Sequence, residues 1–334
     1  MTKKERKIYK SGRKNPNGYN SKTPIILRIK YNKKVAAVVN FIIVFSVIFN
    51  ILISLNAFSV NDIYSQIEIM GGIERQDADF AVYFLDVGQS DCTIITCDDM
   101  TMMIDTGSKF RNIEIKSALF TLGIKQIDYL VVTHPHDDHM SNASEIIEKF
   151  DVKNIIMPII SVNNQDNSPI YSTLINTIAK HNVNPMAVSS GDNFGFGNAN
   201  VQVVAPIKQN KNLNNMSLVL KITYDETSFL FQGDVEKTVE NDVLSNGIDI
   251  SADVIKIGHH GSNTSSGEEY LENVDPAYAV VSCGPDNNFK HPSKQTIDTL
   301  DSKNIKTFIT AYHGNIIMTS DGKNIDILYK NKNV

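Results

Sequence analysis

Residues 131–140 read VVTHPHDDHM, and between His134 and His139 the chain places three of its eight histidines and two aspartates. Polar and charged groups like these are costly to bury without partners. Yet they follow residues 127–133 (IDYLVVT), an apolar, β-branched run that reads as a buried strand. Alternate residues of an extended chain share a face, so His134 and His136 leave the strand end in the same direction. Asp138 and His139 come next, where the chain turns toward a helix. This spacing presents two imidazoles to one cation, and a carboxylate with an imidazole to a second. Imidazole nitrogen and carboxylate oxygen suit Zn²⁺, and other divalent ions less selectively.

The missing partners stand at other strand ends. Asp234 closes SFLFQGD (228–234), and His259 and His260 follow ADVIKIG (252–258). An aspartate ending an apolar strand needs a ligand or hydrogen bonds if it is buried. Strand ends on one edge of a sheet share a mouth, so the three segments are expected to converge. If these were scattered surface histidines, five of the eight would stand at strand ends by accident. Further strands are expected over 80–88, 92–96, 101–107, 200–206, 217–224, 278–284 and 306–312. Helices are expected over 113–123, 141–150, 235–247 and 293–304. Asn142 and Glu145 have capping-box spacing at the start of the second helix. Mixed elements in two similar halves suggest two packed sheets with helices outside.

Charge divides the chain. Residues 1–34 carry twelve Lys/Arg and one Glu, whereas the remainder holds 20 basic against 36 acidic residues, a net −16. Between these regions lies VAAVVNFIIVFSVIFNILISL (35–55), which has no charged residue. As a helix it would span about 31 Å, close to the hydrocarbon thickness of a bilayer. The expected organisation is a basic cytoplasmic tail (1–34), a transmembrane anchor (35–57), a linker (58–78) and an extracytoplasmic catalytic domain (79–334), oriented by the positive flank. A buried core helix is one alternative. A cleaved signal peptide at Ala57, which would leave a secreted protein, is the other, although Leu55 stands where a small residue is wanted. Cys92, Cys97 and Cys283 form no disulfide framework. Cys92 and Cys97 are five apart, which on one strand sets them on opposite faces as buried apolar residues.

His-x-His-x-Asp-His after a strand, then Gly-Asp, then a later histidine, resembles the metallo-β-lactamase superfamily. FLDVGQSD, MMIDTG, YLVVTHPHDDH, NNMSLVLKI, SFLFQGD, DVIKIGHHGS and HPS are similar, in this order, to the metallo-hydrolase domain of ComEC-type competence proteins. The resemblance covers about residues 80–330. It implies an α+β fold, a four-layer αββα sandwich, with two divalent metal ions on one edge, Zn²⁺ first and Mn²⁺ as the alternative. Carried over by position, His134 and His136 hold the first ion. Asp138, His139 and His259 hold the second, and Asp234 bridges. Asp105 supports the site by hydrogen bonding. Asp86 and Asp91 lie in the loop similar to LDVGQ-x-D, with a purely structural turn role as the alternative. His260 supports the ligands or faces substrate, and Asp138 also orients a water. His291 is a substrate-side or a loop residue. Many members carry another histidine before the strand leading to the bridging aspartate. Here that stretch reads NNMS, so Asn214 or Asn215 offers a weak amide ligand or none. Ser90 replaces a glycine of the GQGD loop.

No phosphate-binding loop or serine nucleophile elbow competes with this chemistry. Two ions would lower the pKa of a water toward ~7 and stabilise a developing oxyanion. The expected activity is phosphodiester hydrolysis, on single-stranded DNA or a small cell-surface phosphodiester. An acidic domain repels a long polyanion unless a local groove is basic. Lys208, Lys211 and Lys221 could form such a groove, but solvated loop lysines is the plainer reading. The alternatives are hydrolysis of acyl or lactone substrates and a non-catalytic metal-binding module in DNA uptake.

Overall fold

Phe80, Val82 and Phe84 alternate with Ala81 and Tyr83 along β1 (Phe80–Phe84), and all five are buried. A strand buried on both faces needs cover on both, and this sets the layering. The structure, a computed structural model, describes residues 40–44, 46–47, 73–158 and 169–331. The expected basic tail, most of the expected anchor and linker residues 58–72 lie outside these. Within the anchor stretch, residues 40–44 and 46–47 are helical. Among the described residues no helix is long and apolar enough to cross a membrane. The chain divides into two units, Met1–Ala57 and Phe58–Val334, and the second holds both sheets.

One sheet has eight strands in the order β15-β14-β1-β2-β3-β4-β5-β6. Besides β1 these are β2 (Thr93–Cys97), β3 (Met100–Ile104), β4 (Gln126–Val131), β5 (Asp151–Ile156), β6 (Asn184–Met186), β14 (Ile316–Ser320) and β15 (Ile325–Tyr329). The other has seven, in the order β13-β12-β11-β10-β9-β8-β7. They are β7 (Asn193–Phe196), β8 (Ala199–Ala205), β9 (Val219–Tyr224), β10 (Thr227–Phe231), β11 (Val254–Lys256), β12 (Tyr278–Val281) and β13 (Lys306–Ile309). The helices of this unit are α1 (Asn112–Thr121), α2 (Asp137–Met140), α3 (Ala143–Lys149), α4 (Pro169–His181), α5 (Lys237–Ser245), α6 (Glu268–Val274), α7 (Lys294–Ser302) and α8 (Thr310–His313).

Three apolar clusters account for the stacking. Phe80, Val82, Phe84, Ile95 and Met102 meet Val201, Val203, Leu220, Phe229 and Phe231 between the sheets. Phe80 stacks on Tyr224 at 5.0 Å and tilts against Phe229 at 5.3 Å. Ala81, Tyr83 and Ile94 turn outward against Ile115 and Leu119 of α1, Ile146 of α3 and Leu174 of α4. Leu230, Ile255 and Val281 turn outward on the second sheet, against Val239 and Val243 of α5, Leu271 of α6 and Leu300 of α7. Three buried interfaces make four layers, helix–sheet–sheet–helix, as the resemblance implied. Cys92 lies in an outer cluster and Cys97 between the sheets, both buried and reduced.

β3, β4, β5 and β6 run parallel, as do β10, β11, β12 and β13. Parallel strands aim their carboxyl ends at one edge, where ligand crevices of such sheets form. The two edges are joined there, since Leu218 N donates to Thr133 O at 3.0 Å.

Several local expectations change. The 306–312 strand stops at Ile309, and Thr310–His313 coils into α8. Asn142 sits at the N-cap of α3 without a side-chain cap bond. Its amide instead donates to Thr106 O at 2.7 Å and Ser108 O at 2.9 Å. Glu145 accepts from Asn112 and Lys116, so no capping box forms. Residues 73–76, read as the end of a linker, pack on the domain: Ile73 is buried and Arg75 donates to Leu122 O at 3.0 Å.

Phe229 is fully buried where the sheets face each other. Phe229→Ala is expected to destabilise the domain by about 3–5 kcal/mol. The shift in urea midpoint at constant m-value measures it.

Candidate metal centre

Asp234 follows β10 through Gly233, whose φ is +54°. A Cβ at Gly233 would lie 2.8 Å from Ser217 Cβ and 3.2 Å from Thr133 Cβ, so this close approach of three segments requires glycine. Asp234 N accordingly donates to Ser217 Oγ at 3.1 Å. The carboxylate is buried, and its two oxygens face different groups. Oδ1 lies 3.4 Å from His139 Nε2, while Oδ2 lies 3.8 Å from both His134 Nε2 and His259 Nε2. His134 Nε2 is also 3.0 Å from His136 Nδ1. The three chain segments singled out in the sequence therefore do converge.

The second half of the cluster is Asp138, His139 and His260, whose ligand atoms lie within 4.8 Å of one another. His260 Nε2 stands 3.3 Å from Asp138 Oδ2. The sequence reading grouped His259 with Asp138 and His139, but the geometry places His260 there and His259 against the other Asp234 oxygen. The reason is local. His259 and His260 have φ of 51° and 54°, consecutive left-handed residues rather than strand continuation, so their rings separate. Such strained backbone persists only where surroundings over-determine it.

The surroundings orient the imidazoles. His139 Nδ1 bonds Asp105 Oδ2 at 2.7 Å, and His260 Nδ1 donates to Ser282 O at 2.9 Å. Both Nε2 atoms are thereby turned inward, as in metal-ligating histidines. Asp105, in the left-handed region at φ 60°, also accepts from Thr133 N at 2.8 Å and Thr133 Oγ1 at 2.8 Å. Asp91 is paired with Lys256 Nζ at 2.6 Å, both side chains buried, and its other oxygen is 3.4 Å from His260 Nδ1. Asp86 donates its backbone N–H to Asn315 Oδ1, which anchors its turn. Asn215 uses both ends of its amide on Glu236, at 2.9 and 3.1 Å. Asn214 Oδ1 is buried without a hydrogen-bond partner. Ser90 Oγ donates to Val87 O at 2.7 Å, which closes its loop with a side chain. His291 packs edge-on against His259, ring centroids 5.7 Å apart, at the mouth.

The field at this cluster favours positive charge. Burial alone would lower His260, but Asp91, Asp234 and Asp138 push it up to about 10. Burial also acts against His139, and Asp234 with Asp105 raises it well above the usual imidazole value. Asp234 is held well below the carboxylate range, against its burial, by His139 and His260. Asp138 is likewise lowered to about 2, against burial, by its bond from His260. His134, dominated by burial, drops well below the usual value. His291 falls to about 4 through burial and the nearby His260 and His259.

Lys256 and its partner were missed as a pair in the sequence. The signal was a lysine inside ADVIKIG, a run that otherwise reads as fully buried. The buried Gln232–Glu240 pair was missed too. Gln232 accepts from Gly258 N at 3.1 Å and Ser266 Oγ at 2.7 Å, while Glu240 accepts from Gly267 N at 2.8 Å. Together they hold both ends of the loop carrying His259 and His260. Two of the three lysines considered for a basic groove are paired with carboxylates, Lys208 with Asp242 and Lys221 with Asp249, each at 2.7 Å.

A four-layer sandwich with this His/Asp cluster on one edge defines a class. The chain belongs to the metallo-beta-lactamase superfamily, whose profile matches residues 85–284. It is 31% identical over 195 residues to ComE operon protein 3 of Bacillus subtilis (strain 168), covering 58% of this chain and 25% of that protein. It is 27% identical over 240 residues to competence protein ComA of Neisseria gonorrhoeae, covering 70% of this chain and 31% of that one. The chain thus spans about a quarter to a third of the length of these relatives. Among solved structures it is similar to the metallo-beta-lactamase fold protein YhfI from Bacillus subtilis, with TM-score 0.45, 8% identity, and coverage of 75% and 100%.

Lys256→Met would leave the Asp91 carboxylate buried without its ammonium. A loss of about 3–5 kcal/mol is expected from breaking one partner of such a pair. Combining it with Asp91→Asn is expected to recover part of that loss in a double-mutant cycle read by urea denaturation.

Proposed function

We propose that this chain is a metal-dependent phosphodiesterase, tethered to the outer face of a membrane and acting on nucleic acid strands. The observation that carries the metal reading is the facing pair His139 Nε2 and Asp234 Oδ1. Both atoms are buried, 3.4 Å apart, and neither has a hydrogen-bond partner. A cation between them, displacing the imidazole proton, would satisfy both atoms at that depth. The donor set fits two divalent ions. His134, His136, His259 and Asp234 Oδ2 would hold one, and Asp138, His139, His260 and Asp234 Oδ1 the other. His259 then supplies the imidazole that the NNMS stretch lacks. Zn²⁺ suits this nitrogen-rich set, with Mn²⁺ second.

When bound, such ions supply water of pKa near ~7 and offset negative charge on a reacting phosphate. The protein's part is orientation. Asp138, partly open to solvent and ionised, accepts a hydrogen bond at Oδ2 from His260 Nε2 and is thereby oriented. Asp105 and Ser282 O fix the rings of His139 and His260. Val131 and Leu218 belong to the apolar layer between the sheets, which keeps bulk water to one side of the cluster.

The relatives' names, competence protein and ComE operon protein, support a nucleic-acid substrate. The net −16 of residues 35–334 disfavours a grip on long duplexes and favours a short stretch of single strand. Helical residues 40–44 and 46–47 expose Phe41, Ile42, Ile43, Val44 and Val47, which supports a lipid anchor within 35–57. The basic flank supports a cytoplasmic N-terminus.

The full chain with Zn²⁺ or Mn²⁺ is expected to hydrolyse bis-p-nitrophenyl phosphate. Asp138→Ala and His139→Ala are each expected to lower kcat by at least about 10²-fold while the far-ultraviolet circular dichroism is unchanged. Full activity in both variants would remove the proposed site. Divalent ions also displace protons from His139 and His260, because the cation takes over the negative field that holds them. Zn²⁺ added to metal-stripped protein at about pH 7.5 in weak buffer is therefore expected to acidify the solution, as read by an indicator dye. The signal is expected to fall at high pH, where those protons have already left.

A further inference from the structure

Phe289 is a large aromatic side chain left 69% exposed beside the site. Its ring lies nearly parallel to that of His291, 26° between planes and 5.7 Å between centroids. His291 in turn stands edge-on to His259, which faces Asp234 Oδ2. A file of rings therefore runs from the buried carboxylate out to an open aromatic face.

The loop that carries Phe289 is fixed from within. Asn287 Nδ2 donates to Gly284 O at 2.9 Å and to His291 O at 2.5 Å, and its Oδ1 accepts from His291 N at 2.9 Å. Lys290 N donates back to Asn287 O at 3.1 Å, with Lys290 held in the left-handed region at φ 59°. Gly284 N is tied to Gln89 Oε1 at 3.1 Å, which joins the loop to the opposite wall. The loop thus holds an aromatic ring stacked on His291 with most of its surface open to solvent. Lys290 is exposed next to it, and among the described residues no carboxylate pairs with it.

We infer that Phe289 is a stacking platform for a nucleobase of a single strand whose phosphodiester lies at the His/Asp cluster. The inference rests on the phosphodiesterase reading for the position of the backbone, and it adds the residue that would hold an unpaired base. Base–aromatic stacking tolerates any sequence, because every base has a π-face. It also needs an unpaired base, which selects single strands over duplex. It supplies affinity without net positive charge, and that matches an acidic domain whose Lys208 and Lys221 are committed to ion pairs. Phe289 is a specificity residue here. It touches the substrate away from the bond that breaks.

The chain contains no tryptophan, so Phe289→Trp installs a single reporter on the platform itself. In the full-length variant, tryptophan emission is expected to be quenched by oligodeoxythymidylate. An abasic strand of equal length and a blunt duplex are expected to leave it unchanged. Phe289→Ala is expected to bind labelled oligodeoxythymidylate about 10-fold more weakly by fluorescence anisotropy and to treat the abasic strand as the unsubstituted protein does. Emission indifferent to the strand, or quenched equally by the abasic one, overturns the platform. If that happens while bis-p-nitrophenyl phosphate is still turned over, the phosphodiesterase reading survives alone. Quenching by the thymidylate strand without turnover of any phosphodiester keeps the platform and removes the hydrolase.

Discussion

An ionised carboxylate at the seam of two sheets is the constraint on which the rest of the structure depends. Asp234 sits where water cannot solvate it, and an unpaired charge at that depth is several kcal/mol uphill. The chain answers with imidazoles on both sides, His139 at one oxygen and His134 with His259 at the other. That answer needs β4, β10 and β11 to end at the same place. The parallel pairing of β3 with β4 and of β10 with β11 provides this, and the Leu218–Thr133 bond locks the two edges together. The apolar layers give the sandwich its cohesion, while the seam sets its register.

A polar shell surrounds the seam, and it resembles neither core nor surface. Asp105 ties Thr133 and His139 to the end of β3. Asp91 and Lys256 neutralise each other beside His260. Gln232 and Glu240 hold the loop after β11. Each bond sits in a region of low dielectric, where satisfied networks rigidify and half-satisfied ones are costly. The left-handed residues Asp105, His259 and His260 fall inside this shell. Their backbone strain is sustained only because the shell holds them, and without it the donor atoms would not face inward.

Much of this is legible in the residues alone. His134, His136, Asp138, His139 and Asp234 stand out because strand periodicity makes a polar residue at an apolar strand end conspicuous. Two packed sheets with helices outside could be expected from mixed elements in two similar halves, and the four-layer sandwich from the resemblance. What stayed hidden depended on contacts distant in sequence. The resemblance grouped His259 with Asp138 and His139, whereas two consecutive positive φ angles turn His260 toward Asp138 and His259 toward Asp234, a backbone turn that no sequence pattern announces. Asn142 looked like a cap by spacing, but its amide found carbonyls of residues 106 and 108 instead. β6, three residues with a central proline, and β15, partly exposed along its length, carry too little apolar pattern to be seen. The carboxylates that pair with Lys208 and Lys221 stand on other segments, so their commitment could not be read from the lysines' own loops.

Neighbours along a chain usually share one fate, but a single kinked peptide turns His259 toward Asp234 and His260 toward Asp138. Whatever draws one ring inward pulls on the plane that carries the other. The two rings are therefore mechanically yoked, and one residue inserted between these histidines would displace both together.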